Sequence, residues 1–222
     1  NAFYVLKDTS PPSLGLYQAG DAAWQGAAGK AYNVDFFDSL SGLATAQYRI
    51  TSQPAQAGVV LKDWTDIASP GGAVSYTADW TVDFDALREW ATGYVSVRAF
   101  DALAQSSAAA DAFYILKDTT PPSAPSAVSP ADKAASSTST ASFDWTDSPD
   151  LRSGTQNYQL QLSLSADFSS VYASSVAAVS QAALYNLADG NYFWRASAAD
   201  RAGNYSAFSA TRAYTVDTSS PV

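Results

Sequence analysis

The sequence contains an internal repeat. Residues 1–13 read NAFYVLKDTSPPS and residues 111–123 read DAFYILKDTTPPS. Phe3 aligns with Phe113 and Pro11 with Pro121, a shift of 110 positions (113 − 3 = 121 − 11 = 110). A third, weaker copy reads RAYTVDTSSPV at 212–222. In a chain of 222 residues, this spacing predicts two diverged copies of one fold of roughly 100 residues each.

Two stretches of the sequence alternate apolar and polar residues. One is YQLQLSLS at 158–165, and the other is YTADWTVDF at 76–84, in which Tyr76, Trp80 and Phe84 share a face. A period of two predicts β-strands with one buried face. Turn-forming clusters such as SPGG (69–72) and ADGN (188–191) separate such runs. The pattern predicts an all-β chain made of two tandem antiparallel β-sandwiches.

The ionisable residues exclude several functions. The net charge is −9, and 20 of the 21 acidic residues are Asp, with Glu89 the one glutamate. Asp favours turns over helices, which agrees with a loop-rich β fold. The acidic balance argues against a nucleic-acid partner, and no stretch is apolar enough for membrane insertion. Without His or Cys the chain cannot assemble the usual nucleophilic or zinc sites, so we expect no enzyme and no catalytic residue.

The second half carries a longer pattern that is characteristic of a known family. It reads ALYNLADGNYFWRASAADRAGNYSAFSATRAYTVDT at 183–218, with Trp145 on an earlier strand. This resembles the fibronectin type III and immunoglobulin-like modules of bacterial secreted and cell-surface proteins. The first half resembles a divergent relative and departs at one turn, reading DALAQS (101–106) against DRAGNYS (200–206). Such modules are mostly spacers, stalks or adhesin segments, so the resemblance implies an extracellular, non-enzymatic role.

The repeat also predicts the domain organisation. Residues 1–8 are expected to be the closing strand of a preceding domain or a donor strand. Residues 9–118 are expected to form an immunoglobulin-like domain, and 119–222 a fibronectin type III-like domain. The junction KDTTPPS (117–123) holds two prolines, which fix φ and push the preceding residue to extended conformations. We therefore expect a short, stiff linker.

The first strand raises a question of assembly. A strand built on Phe3, Tyr4, Val5 and Leu6 would expose apolar side chains and unpaired backbone if it stood alone. One explanation is that the strand belongs to a preceding module in a longer array. The other is donor-strand exchange, in which residues 1–8 complete the sheet of a neighbouring subunit and build a filament.

Aspartates recur at matching positions of the two halves. In an immunoglobulin-like sandwich, the first strand starts at the same pole as the loops after the second strand and before the last one. Ca²⁺ takes about 6 to 8 oxygen ligands, so each pole is a possible Ca²⁺ site, and no other cofactor is expected. The second-half set is the stronger candidate because DRAGN keeps a turn that DALAQ lacks, and the alternative is that each aspartate only closes its own turn. The sets are Asp118, Asp147, Asp200 and Asn204 in the second half, with Asp150 nearby as a further oxygen ligand, and Asp8, Asp38 and Asp101 in the first.

The six tryptophans divide into two groups. Trp80, Trp145 and Trp194 are in phase with inward positions, so we predict that they lie in the core. Trp24, Trp64 and Trp90 lie outside clear alternation and are candidates for a glycan-binding surface, because exposed aromatic rings stack on sugars. An accessible planar row of these three rings would favour that use.

The sequence thus predicts a structural spacer or stalk segment of a bacterial cell-surface or secreted multi-domain protein, with an adhesin among the candidates. Two alternatives stay open: a filament subunit that polymerises through strand 1–8, and a carbohydrate-binding accessory module. The expected partners are neighbouring copies of the same module, in cis or by strand exchange in trans, or a surface glycan.

Overall fold

The computed structural model describes residues 7–18 and 22–219. The chain divides into two units, Asn1–Thr119 and Thr120–Val222, one residue beyond the predicted boundary. The candidate assembly residues Phe3, Tyr4, Val5 and Leu6 lie outside the described residues. Within the described ranges, no helix is long and apolar enough to cross a membrane.

The first unit forms two sheets from eight strands in its described part, with a single 3-10 turn at Phe84–Ala86. One sheet has the order β1-β3-β6 and the other the order β2-β8-β7-β4-β5. Neighbouring strands are antiparallel except β2 and β8, which pair in parallel. The strands are β1 (Ser13–Leu16), β2 (Trp24–Gln25), β3 (Val34–Phe37), β4 (Leu43–Thr51), β5 (Val60–Ala68), β6 (Ser75–Tyr76), β7 (Thr92–Asp101) and β8 (Ser106–Lys117).

One hydrophobic core lies between these two sheets. Phe36 of β3 and Ile50 of β4 are both fully buried, so inward residues of both sheets meet in it. Tyr32 stacks on Phe113 with ring centroids 4.4 Å apart. Over residues 46–50 of β4, buried and partly buried positions alternate, so one face of this strand enters the core.

The predicted strand over 76–84 is wrong. Only Ser75–Tyr76 is a strand, and Ala78 is exposed. The chain leaves the ladder after Tyr76 and returns for one isolated bridge between Trp80 and Tyr32. Trp80 is nevertheless buried, as predicted, and its indole Nε1 donates a hydrogen bond to the Val34 carbonyl at 3.2 Å.

The second unit repeats the arrangement. Its two sheets have the orders β14-β11-β9 and β10-β16-β15-β12-β13, and β10 and β16 are again a parallel pair. The predicted fold class, two tandem antiparallel sandwiches, is confirmed. The strands are β9 (Ala127–Ser129), β10 (Ala134–Ser136), β11 (Ala141–Trp145), β12 (Thr155–Ser163), β13 (Val171–Ala177), β14 (Gln181–Leu184), β15 (Gly190–Asp200) and β16 (Arg212–Val216).

The core of the second unit follows the sequence pattern closely. Tyr158, Leu160 and Leu162 of β12 are buried, as the alternation of 158–165 predicts, but Leu164 lies beyond the end of the strand at Ser163 and is exposed. Trp145 and Trp194 are fully buried. Tyr192, near the start of β15, donates its hydroxyl to the Ala188 carbonyl at 2.8 Å. This is the corner contact that braces the entry to this strand in immunoglobulin-like sandwiches.

Candidate metal centre and linker anchor

Three carboxylates meet at one pole of the first unit. Asp8, Asp38 and Asp101 each bring an oxygen within 4.8 Å of the other two. Asp38 and Asp101 are buried and Asp8 is half-buried. The three aspartates predicted from sequence for this unit are therefore brought together.

Asp38 organises the loop between β3 and β4. Its Oδ1 accepts hydrogen bonds from the amides of Leu40 at 3.2 Å and Gly42 at 2.7 Å. Gly42 has φ +80, and a Cβ there would collide with the Gly72 carbonyl. This position therefore needs glycine, and the loop closes around the carboxylate.

Asp101 organises the turn between β7 and β8 in a similar way. Its Oδ1 accepts from the amides of Leu103 at 2.9 Å and Gln105 at 2.7 Å. The Gln105 side-chain Nε2 donates to Oδ2 of the same carboxylate at 2.9 Å. Two backbone amides and the Gln105 side chain thus hold the turn closed around the Asp101 carboxylate.

Asp8 ties the segment that precedes β1 to this pole. Its two carboxylate oxygens accept from the amides of Ser10 at 2.9 Å and Ser41 at 3.0 Å. The hydrogen bond from the Ser10 amide and those from Ser41 hold the pKa of Asp8 below its ordinary value, so the charged form is favoured. The Gln105 side chain also donates to the Asp8 carbonyl at 3.4 Å. Lys7, Asp8, Leu40, Ser41 and Leu103 line a cavity of about 250 Å³ at this pole.

The second unit builds matching loops around Asp150 and Asp200. Asp150 Oδ1 accepts from the amides of Arg152 at 2.9 Å and Gly154 at 2.8 Å, the same pattern that Asp38 makes. Asp200 accepts from the Asn204 amide at 2.8 Å and side chain at 2.7 Å, as Asp101 does from Gln105.

Two sequence predictions need correction here. The counterpart of Asp38 is Asp150 and not Asp147, which is exposed. Strand β11 ends at Trp145, and the loop-forming pattern Asp-x-x-Ser-Gly begins only at Asp150. The turn DALAQ also keeps the geometry of DRAGN, because Gln105 and Asn204 each stand four residues after the aspartate and carry a carboxamide. The shared spacing was the signal that could have found both.

Asp118 is the sequence counterpart of Asp8. It is fully buried, and its amide donates to the Gln25 carbonyl at 3.0 Å, which fixes the end of the first unit.

Next to Asp118, the single glutamate holds the linker. Glu89 accepts from the Thr119 amide at 3.0 Å and from its hydroxyl at 2.8 Å. Its Oε1 lies 3.5 Å from Nζ of Lys117. Burial alone would raise the pKa of Glu89, but the Thr119 hydrogen bonds and the Lys117 charge outweigh it and leave that pKa lowered. This contact was not predicted from the sequence. The signal that could have found it is that Glu89 is the one glutamate among 21 acidic residues.

The structure does not bring the three candidate glycan tryptophans together. Trp24 lies on β2 and Trp64 on β5, the two edges of the five-stranded sheet, a separation of about 19 Å across four strand spacings. Trp64 is half-buried and lies under the Arg98 guanidinium at 4.2 Å. Trp90 is 48% exposed in the segment before β7. Their use in glycan binding stays a prediction.

Comparison with known proteins agrees with this architecture. No family model and no curated protein matches the sequence. Among solved structures, the fibronectin(III)-like modules of Clostridium thermocellum CbhA match with a TM-score of 0.50 and 11% identity, covering 93% of this chain and 94% of that one. The FN1–FN3 domains of chicken CNTN1 match at 0.45 and 18% identity, over 90% and 69% of the two chains. Domains from titin match at 0.48 and 16% identity, over 91% and 65%.

The likeness to the CbhA modules, at this level of identity, concerns the fold. Together with the strand order and the corner tyrosine, it shows that this chain has the fold of two tandem immunoglobulin-like, fibronectin type III-like β-sandwiches.

Proposed function

We propose that this chain is a non-enzymatic spacer segment of a bacterial extracellular multi-domain protein, with junctions that Ca²⁺ stiffens. The observation that carries the proposal is the anchoring of the linker sequence. Asp8 is fixed to the loop after β3 through Ser41 and to the turn after β7 through Gln105. A linker held at two points transmits direction from one module to the next, which is what a spacer requires.

The chemistry of the Asp8, Asp38 and Asp101 set fits a hard cation. Three carboxylates within 4.8 Å of one another repel when all are ionised, and a divalent cation relieves that repulsion. Carboxylate, carbonyl and carboxamide oxygens are the ligands that Ca²⁺ prefers. In the second unit, Asp150 and Asp200 are the counterparts of Asp38 and Asp101. The sequence repeat makes Asp118 the counterpart of Asp8.

Calorimetric titration of the full chain with CaCl₂ tests this proposal. The expected result is two binding events in the wild type. Asp38→Asn removes one event and Asp150→Asn removes the other, because each carboxylate serves one set. Asp79→Asn, at an exposed position outside both sets, is the matched control and leaves both events intact.

Thermal unfolding supplies a second readout. A ligand that binds only the folded state raises the unfolding temperature by mass action. We expect Ca²⁺ to raise it in the wild type and in Asp79→Asn, and to raise it less in the two site variants. A wild type without calcium heat and without a calcium-dependent shift would overturn the metal part of the proposal.

A further inference from the structure

Strand β13 of the second unit is an unguarded sheet edge. It lies at the end of the five-stranded sheet and, within the described residues, pairs with β12 alone. Val176 on this strand is 69% exposed, and Val171 and Tyr172 are also exposed. The 21 residues 168–188 contain no charged residue, no proline and no glycine. Edge strands normally carry such features because an open ladder recruits other strands.

The corresponding edge of the first unit is guarded. Strand β5 carries Lys62, Asp63 and Asp66, and its pairing with β4 shifts register at three places. By contrast, residues 173–177 of β13 pair with 158–162 of β12 in unbroken register. The same position in one fold is thus closed to strand addition in the first unit and open in the second.

The absence of charge points to the occupant. In an antiparallel twofold pair of identical strands, the residue on the axis faces its own copy, so a charged residue there would meet its like. An uncharged edge is therefore compatible with self-pairing even in a chain of net charge −9. Small side chains at its centre, Ser174 and Ser175, offer no steric obstacle.

We propose that β13 is a homotypic pairing edge, at which two copies of this chain join their five-stranded sheets through antiparallel β13–β13 contact centred on Ser174. The contact goes beyond the proposed spacer role and needs neither Ca²⁺ nor residues 1–8. Because one strand pair is small compared with a standard interface, the association is weak and depends on concentration. It joins neighbouring copies laterally where they are crowded.

The absence of cysteine in the chain gives a direct test. Opposed residues of an antiparallel pair lie about 4.5 to 5.5 Å apart between Cα atoms, within the range that a disulfide spans. In EDTA under oxidising conditions, Ser174→Cys is expected to form covalent dimers far faster than Val60→Cys, the matched variant on the guarded edge β5. A version starting at Ser10 and carrying Ser174→Cys is expected to crosslink equally well.

Light scattering over a concentration series completes the test. The wild type is expected to rise from the mass of one chain to that of two, and Ser174→Lys to stay at one because it sets two cations face to face. Circular dichroism of Ser174→Lys checks that the variant is folded. A wild type that stays monomeric, equal crosslinking at positions 174 and 60, or open-ended growth beyond two chains would overturn the proposal.

Discussion

At the scale of single residues, the two units brace the same corner in different ways. The second unit uses Tyr192, whose hydroxyl binds the Ala188 carbonyl. The first unit has Gly93 at the equivalent point of β7 and uses Lys117 instead. The Lys117 ammonium donates to the carbonyls of Phe84 at 3.3 Å and Leu87 at 3.2 Å, and it lies 4.8 Å from the centre of the Phe84 ring. The buried Lys117 ammonium thus donates to loop carbonyls in the first unit, as the Tyr192 hydroxyl does in the second.

Lys117→Ala is therefore expected to destabilise the first unit by about 1 to 3 kcal/mol, since the Leu87 carbonyl loses its ammonium donor and the Phe84 carbonyl keeps only the Leu87 amide. Lys7→Ala is the matched control, because Lys7 occupies the same place in the repeated sequence but is exposed. Urea unfolding followed by tryptophan fluorescence gives both free energies. Equal and small effects of the two substitutions would contradict the bracing role.

At the scale of elements, residues 205–209 act as a polar latch on strand β15. Ser206 Oγ accepts from the Ala198 amide at 2.9 Å, and Ser209 Oγ accepts from the Ala196 amide at 3.0 Å. Both serines are buried. They satisfy β15 amides on a stretch that the short strand β16 does not reach, since β16 pairs only with 190–194.

Removing both hydroxyls with Ser206→Ala and Ser209→Ala is expected to cost about 1 to 3 kcal/mol for each orphaned amide. Hydrogen exchange of the Ala196 and Ala198 amides should accelerate more than that of Leu160 on β12. Ser174→Ala, at an exposed position, serves as the control for loss of a hydroxyl alone. Unchanged protection of the two amides would show that the latch contributes nothing.

Glu89 joins the loop before β7 to the linker through its hydrogen bonds with Thr119. The pKa of Glu89 is lowered in the folded protein, so its stabilising effect is present above the ordinary carboxyl pKa and is lost as pH falls through the folded value. We expect the Thr119 amide resonance to titrate below about pH 4.3, the ordinary value for Glu. In Glu89→Gln that titration should disappear, and its persistence would assign it to another group.

The sequence predicts those strands in which apolar and polar side chains alternate regularly along the whole strand. Alternation identified β12 and the buried Trp194 because both stay in a regular ladder. It failed over 76–84, where Trp80 is buried through a single bridge and not through a strand. The aspartate sets were predictable where loop spacing is conserved between the units. Asp147 was taken for the counterpart of Asp38 in place of Asp150 because the loop length differs after β11. The role of Lys117 was missed because its partners are carbonyls, which leave no trace in sequence.

At the scale of the whole molecule, each unit contains its own closing strand, β8 or β16, paired in its own sheet. A filament built by donating residues 1–8 would need an acceptor sheet without such a strand. Light scattering of the intact chain and of a version starting at Ser10, both as Ser174→Lys to suppress β13 pairing, addresses that alternative. Polymerisation of the intact chain alone would favour donor-strand exchange over the spacer.

A spacer whose junction is stiffened by Ca²⁺ should keep its two units at one fixed distance when calcium is present. The most direct measurement is pulsed electron paramagnetic resonance with spin labels at Thr77→Cys and Gln156→Cys, exposed positions in different units. We expect one narrow distance distribution in Ca²⁺, a broader one in EDTA, and a broad one in Ca²⁺ when Asp118 is replaced by Asn. A distribution equally broad in Ca²⁺ and in EDTA would contradict this expectation.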